Sequence, residues 1–204
     1  GRLDILNGNW GGFHRAYVLK DDVFEDIAKP TFDVPTRIRT IISADLDNDG
    51  YDEVFMNNIG EPNKLFKIMD NGVLEQLPLD IGLEPDGYGT GAAVADIDND
   101  GVLELLVSHG ESRDQPLSLY KAKVDANHKY LRVKPLNKYG APARGATVTL
   151  ISNLRKHSKT IDAGSGYLCQ MEPVAHYGIR KKEKNIKIQI KWTNGETKTI
   201  SVND

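Results

Sequence analysis

The chain has 204 residues, 27% of them charged, with a formal net charge of -3 at pH 7 and one cysteine. That balance excludes the bulk basicity of a nucleic-acid binder and the charge excess of a disordered tail. A single cysteine, Cys169, excludes an internal disulfide and a zinc site built on cysteine pairs, and a small apolar role is expected for it. No apolar run reaches the roughly 20 residues that span a bilayer, and Gly1 to Asn9 lack the charged start and apolar stretch of a secretory leader.

In chain order, the first elements already repeat. Gly1-Arg2-Leu3-Asp4-Ile5-Leu6 matches the second half of a unit that recurs twice downstream, and Ala16-Tyr17-Val18-Leu19 matches its later strand. The chain is therefore expected to open inside a loop, as a truncation of a longer polypeptide, with its partial loop completed only by oxygens from elsewhere. The complete units carry Ala44-Asp45-Leu46-Asp47-Asn48-Asp49-Gly50-Tyr51-Asp52-Glu53-Val54-Phe55 and Ala95-Asp96-Ile97-Asp98-Asn99-Asp100-Gly101-Val102-Leu103-Glu104-Leu105-Leu106. Each is followed by a polar turn and a second apolar stretch, Leu65 to Ile68 or Leu117 to Tyr120. Short runs rich in Val, Ile, Phe and Tyr between Gly, Asn, Asp and Pro clusters predict strands and turns with little helix.

Self-similarity at about 50 residues, with about four short strands per unit, predicts an all-β fold with a partial β-propeller over residues 1–124: two full blades and a truncated one. From residue 125 to 204 the repeat stops and a smaller β-domain is expected. Its predicted strands are Tyr130 to Lys134, Ala146 to Ser152, Lys159 to Ile161, Ile186 to Trp192 and Thr197 to Val202, the last two joined through Asn194-Gly195.

Both repeated loops read Asp-x-Asp-x-Asp-Gly-x-x-Glu. Calcium (Ca2+) takes six to eight oxygens in a tolerant geometry, and closely spaced carboxylates on a tight turn supply them. The expected ligands of the first loop are Asp45, Asp47, Asp49 and Glu53 with the backbone carbonyl of Tyr51, Asp52 pointing outward. Those of the second are Asp96, Asp98, Asp100 and Glu104 with the carbonyl of Val102. An EF-hand needs a glutamate at loop position 12 and flanking helices, yet Met56 and Val107 stand there. The loops therefore join strands. Magnesium, with its stricter octahedron and retained waters, fits less well. Four carboxylates repel one another, so the metal is expected to stabilise the fold.

These loops resemble the FG-GAP or VCBS repeats of integrin-type β-propellers. Arg144-Gly145-Ala146 and the run from Ala163 to Gly178 resemble the signature of the ASPIC/UnbV domain. With Gly8-Asn9-Trp10, the segment Ser108 to Ser112 and Gln115 to Ser118, nearly the whole chain is similar to the cartilage acidic protein family. The resemblance implies a secreted or extracellular calcium-binding module concerned with adhesion or matrix contact, with a protein or glycan partner and no catalytic residues. The calcium-binding EGF-like tail of some animal members is not in this sequence.

Other motifs read modestly. His14 and His109 occupy matching polar segments, where hydrogen bonding in turns outweighs catalysis, and His176 reads as packed in the small domain. The alternative of a calcium-dependent hydrolase or carbohydrate-active enzyme would use calcium as a Lewis acid with His109 or Glu111 as base, but the loops leave little open coordination for substrate. Gly164-Ser165-Gly166 lacks the spacing of a nucleophile elbow and reads as a turn, and Gly87 to Gly91 reads as backbone at a blade junction. Arg180 to Lys184 reads as a solvated basic turn without the aromatic interleaving of a single-strand nucleic-acid binder. Open blade edges predict self-association into a homo-oligomer or a structural scaffold.

Overall fold

The computed structural model describes residues 4–69, 72–110, 113–125 and 127–202, and among them one 3-10 turn, Asp80–Leu83, is the sole helical element. Among the described residues no helix is long and apolar enough to cross a membrane. The first sheet is an antiparallel meander of β1 (Asp4–Asn7), β2 (Arg15–Lys20) and β3 (Val23–Asp26). The second runs β4 (Ile38–Ala44), β5 (Glu53–Asn58), β6 (Lys64–Ile68) and β7 (Leu74–Leu77), and the third β8 (Gly89–Ala95), β9 (Glu104–His109) and β10 (Ser118–Lys121).

All six residues of β5 are buried, which requires cover on both faces because successive side chains point opposite ways. Val54 and Met56 face the first sheet in a cluster with Ala16, Phe32, Ile38 and Phe66. Phe55 faces the third sheet, packed with Leu46, Val94, Leu105 and Val107. Each such side chain contributes about 1.5–3 kcal/mol on full burial. Among the described residues the third sheet is covered on one face alone. Ile97, Leu106 and Leu119, which correspond in the repeat to the covered Leu46, Phe55 and Leu65, are 57%, 36% and 56% exposed.

The C-terminal strands make a pair, β11 (Lys129–Val133) with β14 (Ala175–Ile179), and a four-stranded sheet ordered β13 (Lys156–Thr160), β12 (Thr147–Ile151), β15 (Lys187–Lys191), β16 (Thr197–Ser201). β14 was not expected from the sequence, and β13 begins ahead of its predicted start. In β15 the lysines at its ends are exposed while Ile188 and Ile190 are buried, the alternation of a half-covered strand. Ile188, Ile190, Val148, Leu150, Ala175 and Tyr177 share one core, in which the Tyr177 hydroxyl donates to the Val148 carbonyl at 2.8 Å. Asn194-Gly195 makes the β15–β16 turn, with Gly195 at φ 91°.

The connection from β13 to β14 lies against the second and third sheets. Its Tyr167 amide donates to Thr40 Oγ1 at 2.9 Å, and a Cβ on Gly91 would stand 2.5 Å from Cys169 Sγ. Cys169 is half-buried there, less enclosed than the small apolar role expected of it.

Candidate metal centres

Each acidic loop closes a hairpin between the first two strands of its sheet, β4 to β5 or β8 to β9. The repeated sequence dictates one backbone path in both. Asn48 and Asn99 sit at φ 60°, and Gly50 and Gly101 at 85° and 84°, the left-handed conformation that Asn tolerates and Gly adopts freely. The loop then turns its carboxylates inward by tying one oxygen of each to its own amides. In the first loop Asp45 Oδ2 accepts from Gly50 N at 3.1 Å, Asp47 Oδ1 from Asp49 N at 3.1 Å, Asp49 Oδ1 from Tyr51 N at 3.0 Å, and Glu53 Oε2 from Leu46 N at 2.8 Å. The second loop repeats the set: Asp96 from Gly101 N at 3.1 Å, Asp98 from Asp100 N at 3.3 Å, Asp100 from Val102 N at 2.9 Å, and Glu104 from Ile97 N at 2.7 Å.

One oxygen from each of Asp45, Asp47 and Glu53 lies within 4.8 Å of the others, and Asp96, Asp98 and Glu104 form the matching group. Asp49 and Asp100 stand outside these sets at the exposed rim. Tyr51 and Val102 follow the turn glycines; Val102 is buried, and the Tyr51 ring lies 3.7 Å below the Arg180 guanidinium. Asp45 Oδ1 and Asp96 Oδ1 are buried without a hydrogen-bond partner, and Glu53 Oε1 and Glu104 Oε1 accept no well-directed hydrogen bond. Such orphaned acceptors cost on the order of 1–3 kcal/mol each or more when charged, and a hard cation that takes oxygen ligands satisfies them. The donor set therefore fits a hard, oxygen-seeking metal ion. Burial, with help from neighbouring carboxylates, pushes Asp45 up to about 7 and Glu53 up to about 8. The metal-free first loop thus holds protons near neutrality.

Two lysines that the sequence reading passed over complete the electrostatics. Lys67 Nζ lies 3.1 Å from Asp47, 2.5 Å from Asp49 and 3.3 Å from Glu53, and Lys121 Nζ lies 2.8, 2.9 and 2.5 Å from Asp98, Asp100 and Glu104. A signal for them exists in the recurrence of Leu65-Phe66-Lys67 as Leu119-Tyr120-Lys121.

The C-terminal strands grip both loops. Gly178 N donates to Asp45 Oδ2 at 2.7 Å, and His176 Nε2 meets Asn48 Oδ1 at 2.6 Å while Asn48 Nδ2 donates to the Gly101 carbonyl at 2.7 Å. His176 is therefore an interface residue, beyond packing in its own unit. Burial, with Lys159 and Arg132 nearby, lowers it to about 3, so it is neutral. Arg132 bridges Asp96 at 2.8 Å and Glu172 at 2.5 Å, and Arg155 and Arg180 both donate to the Gly50 carbonyl. Asp52 reaches the C-terminal strands instead of solvent. There Lys159 lies 2.8 Å away and His157 3.6 Å away, and against the cost of burial they hold the carboxyl well below its usual range. Arg180 is likewise part of this contact and not a solvated turn residue.

His14 and His109 are tied into turns, His14 to Thr36 Oγ1 at 3.0 Å, and His109 to the Pro116 carbonyl at 2.7 Å and Glu84 at 3.1 Å. With both ring nitrogens engaged, His109 has none spare for a base. Glu111 and the half-loop residues Gly1 to Leu3 lie outside the described residues, as does the Asp4 side chain.

Acidic hairpin loops recurring in antiparallel meanders, gripped by a second β-unit, define a two-part class. A family model described as FG-GAP-like repeat matches residues 45–107, and one described as ASPIC and UnbV matches residues 137–203. The chain belongs to the cartilage acidic protein family. It is 44% identical over 209 residues to Cartilage acidic protein 1 of Homo sapiens, covering 96% of this chain and 32% of that protein. The counterparts of Mus musculus and Xenopus tropicalis are 43% and 45% identical over 215 residues, covering 99% of this chain and 33% of each. The chain spans about a third of the length of the curated relatives it matches.

Proposed function

We propose that this chain is a calcium-binding, non-catalytic extracellular module in which the ion stabilises the repeat loops and the face they offer the C-terminal unit. The observation that carries the reading is the pair of orphaned oxygens, Asp45 Oδ1 and Asp96 Oδ1, at the same position of two loops with one backbone path. The ligands would be Asp45, Asp47, Asp49, Glu53 and the Tyr51 carbonyl, and Asp96, Asp98, Asp100, Glu104 and the Val102 carbonyl. Extracellular placement follows from kinship with proteins named for cartilage. Residues 1–124 act as part of a β-propeller and residues 125–204 as a separate β-domain. The support is Ile97, Leu106 and Leu119, which offer the surface that the second sheet uses to seat the third. A further blade, or a second copy of the chain in a homo-oligomer, meets that surface. An adhesion-type role with a protein or glycan partner is the reading for the assembled module.

Calorimetric titration of calcium chloride into chelator-treated protein tests the calcium reading. Binding at two sites with a rise in melting temperature is expected, since an ion at a hundredfold excess over its dissociation constant adds about 2.7 kcal/mol per site. No heat together with an unchanged melting temperature refutes it.

A further inference from the structure

Directly across the strand from each closing glutamate the fold places a lysine: Glu53 pairs with Lys67 between β5 and β6, and Glu104 with Lys121 between β9 and β10. With one oxygen of each carboxylate bound to loop amides, the first loop leaves Asp45 Oδ1, Asp47 Oδ2, Asp49 Oδ2 and Glu53 Oε1. Lys67 Nζ makes ion pairs with the last three. In the second loop Lys121 Nζ makes them with Asp98 Oδ2, Asp100 Oδ2 and Glu104 Oε1. An ammonium has three N–H donors and no more. The same oxygen is left over in both loops, Asp45 Oδ1 or Asp96 Oδ1, on residues 2% and 6% exposed.

An ordinary surface pair joins one lysine to one carboxylate and contributes little. These ammoniums instead gather three acidic side chains each, twice over, and leave Asp45 Oδ1 or Asp96 Oδ1 with no contact and Glu53 Oε1 or Glu104 Oε1 with an ion pair but no well-directed hydrogen bond. We propose that Lys67 and Lys121 are tethered substitutes for the metal ion. Without calcium the ammonium neutralises the loop and holds it in its folded path; calcium enters by evicting the lysine and takes the remaining oxygen as well. The inference rests on the calcium reading and adds its control. The lysines set the affinity of the loops and let the chain stay folded when the ion is absent.

The test is Lys67→Met and Lys121→Met in the full chain, which keep the unbranched stem of the side chain and remove its ammonium. Calcium chloride titration is read beside the melting temperature in chelator, with Lys20→Met, from the exposed Lys20–Glu25 pair, as control. Removing a positive charge from the ion's position is expected to tighten calcium binding roughly tenfold or more at that loop, while the melting temperature in chelator falls. A solely structural lysine would lower both stability and affinity. If wild type binds calcium and the variants bind it equally or more weakly, the inference is overturned and the calcium reading stands. If only the variants bind, the substitution is supported and the native loop is held by its lysine. If none binds, both fail. Should Lys67→Met fold only with calcium, that dependence is the expected extreme, and the more exposed Lys121 supplies the affinity comparison.

Discussion

Gly178→Ala is a one-carbon change at the contact between β14 and the first acidic loop. A Cβ built there stands 2.5 Å from both Asn48 Cα and Asp45 Oδ2, closer than side-chain carbons approach other heavy atoms in folded proteins. The obstacle includes backbone, so no rotamer change relieves it and the strands must draw away from the loop. Overpacking of this kind costs about 1–3 kcal/mol. Withdrawal also breaks the 2.7 Å bond from Gly178 N to Asp45, and a hydrogen bond to a charged group is worth about 1.5–3 kcal/mol. Together these give about 4 kcal/mol. For a chain of this size 1 kcal/mol moves the melting temperature by about 2–4 °C, so a fall of about 10 °C is expected in thermal unfolding with calcium present. Gly164→Ala is the control, since its Cβ would meet only a carbonyl at 3.9 Å. Should Gly178→Ala melt within about 2 °C of wild type, the close packing of β14 on the loop is wrong.

Two further expectations concern charge. Because Asp45 and Glu53 are raised to about 7 and 8 in the folded chain, well above their unfolded values of about 4, their favourable contribution is complete below about pH 4. It is lost as pH rises through 7 to 8. Chelator-treated protein should therefore melt progressively lower between those limits, calcium should flatten the decline, and calorimetry near pH 7 in buffers of different ionisation enthalpy should detect proton release on binding. A melting profile in chelator that climbs over that range contradicts the burial of these carboxyls.

The loops also differ where the C-terminal strands touch them. Asp45 receives a neutral amide from Gly178, whereas Asp96 receives the Arg132 guanidinium at 2.8 Å. At about 5 Å from a divalent ion, a positive charge costs about 1.7 kcal/mol even in a water-like dielectric. The second loop should thus bind calcium more weakly, and Arg132→Met should narrow the gap by roughly tenfold while lowering stability in chelator. Two identical affinities in the wild-type chain would count against this electrostatic difference.

Much of the scaffold is legible because it is local. The recurrence of Asp, Asn and Gly from Asp45 to Gly50 and from Asp96 to Gly101 specifies the hairpin path, and the apolar runs of β5 and β9 follow immediately. β14 escapes such reading. Its sequence, Ala-His-Tyr-Gly-Ile, has no polar alternation because Ala175 and Tyr177 fill the C-terminal core while His176 and Gly178 face loop residues about 130 positions away. Asp52 misleads for the same reason: solvent is a fair default for an acid on a turn, and Lys159 arrives from 107 residues further on. Lys67 and Lys121 lay within reach, since pairing two strands across a short turn sets them opposite Glu53 and Glu104. Ligand spacing along the chain does not reveal them, because they come from the neighbouring strand.

The bond from Gly178 to Asp45 joins residues 133 positions apart, which bears on the order in which the chain acquires structure. The hairpin around Asp45 forms by local pairing, yet its buried carboxylate lacks its final amide donor until β14 exists, and β14 pairs with β11 across more than forty residues. Contacts of such separation slow folding, because loop closure must precede the contacts that reward it. On a ribosome, where N-terminal segments emerge first, the early sheets wait with two acidic loops exposed. The strand that closes the first loop is made late, so synthesis of the C-terminal unit governs when the repeats become resistant to unfolding.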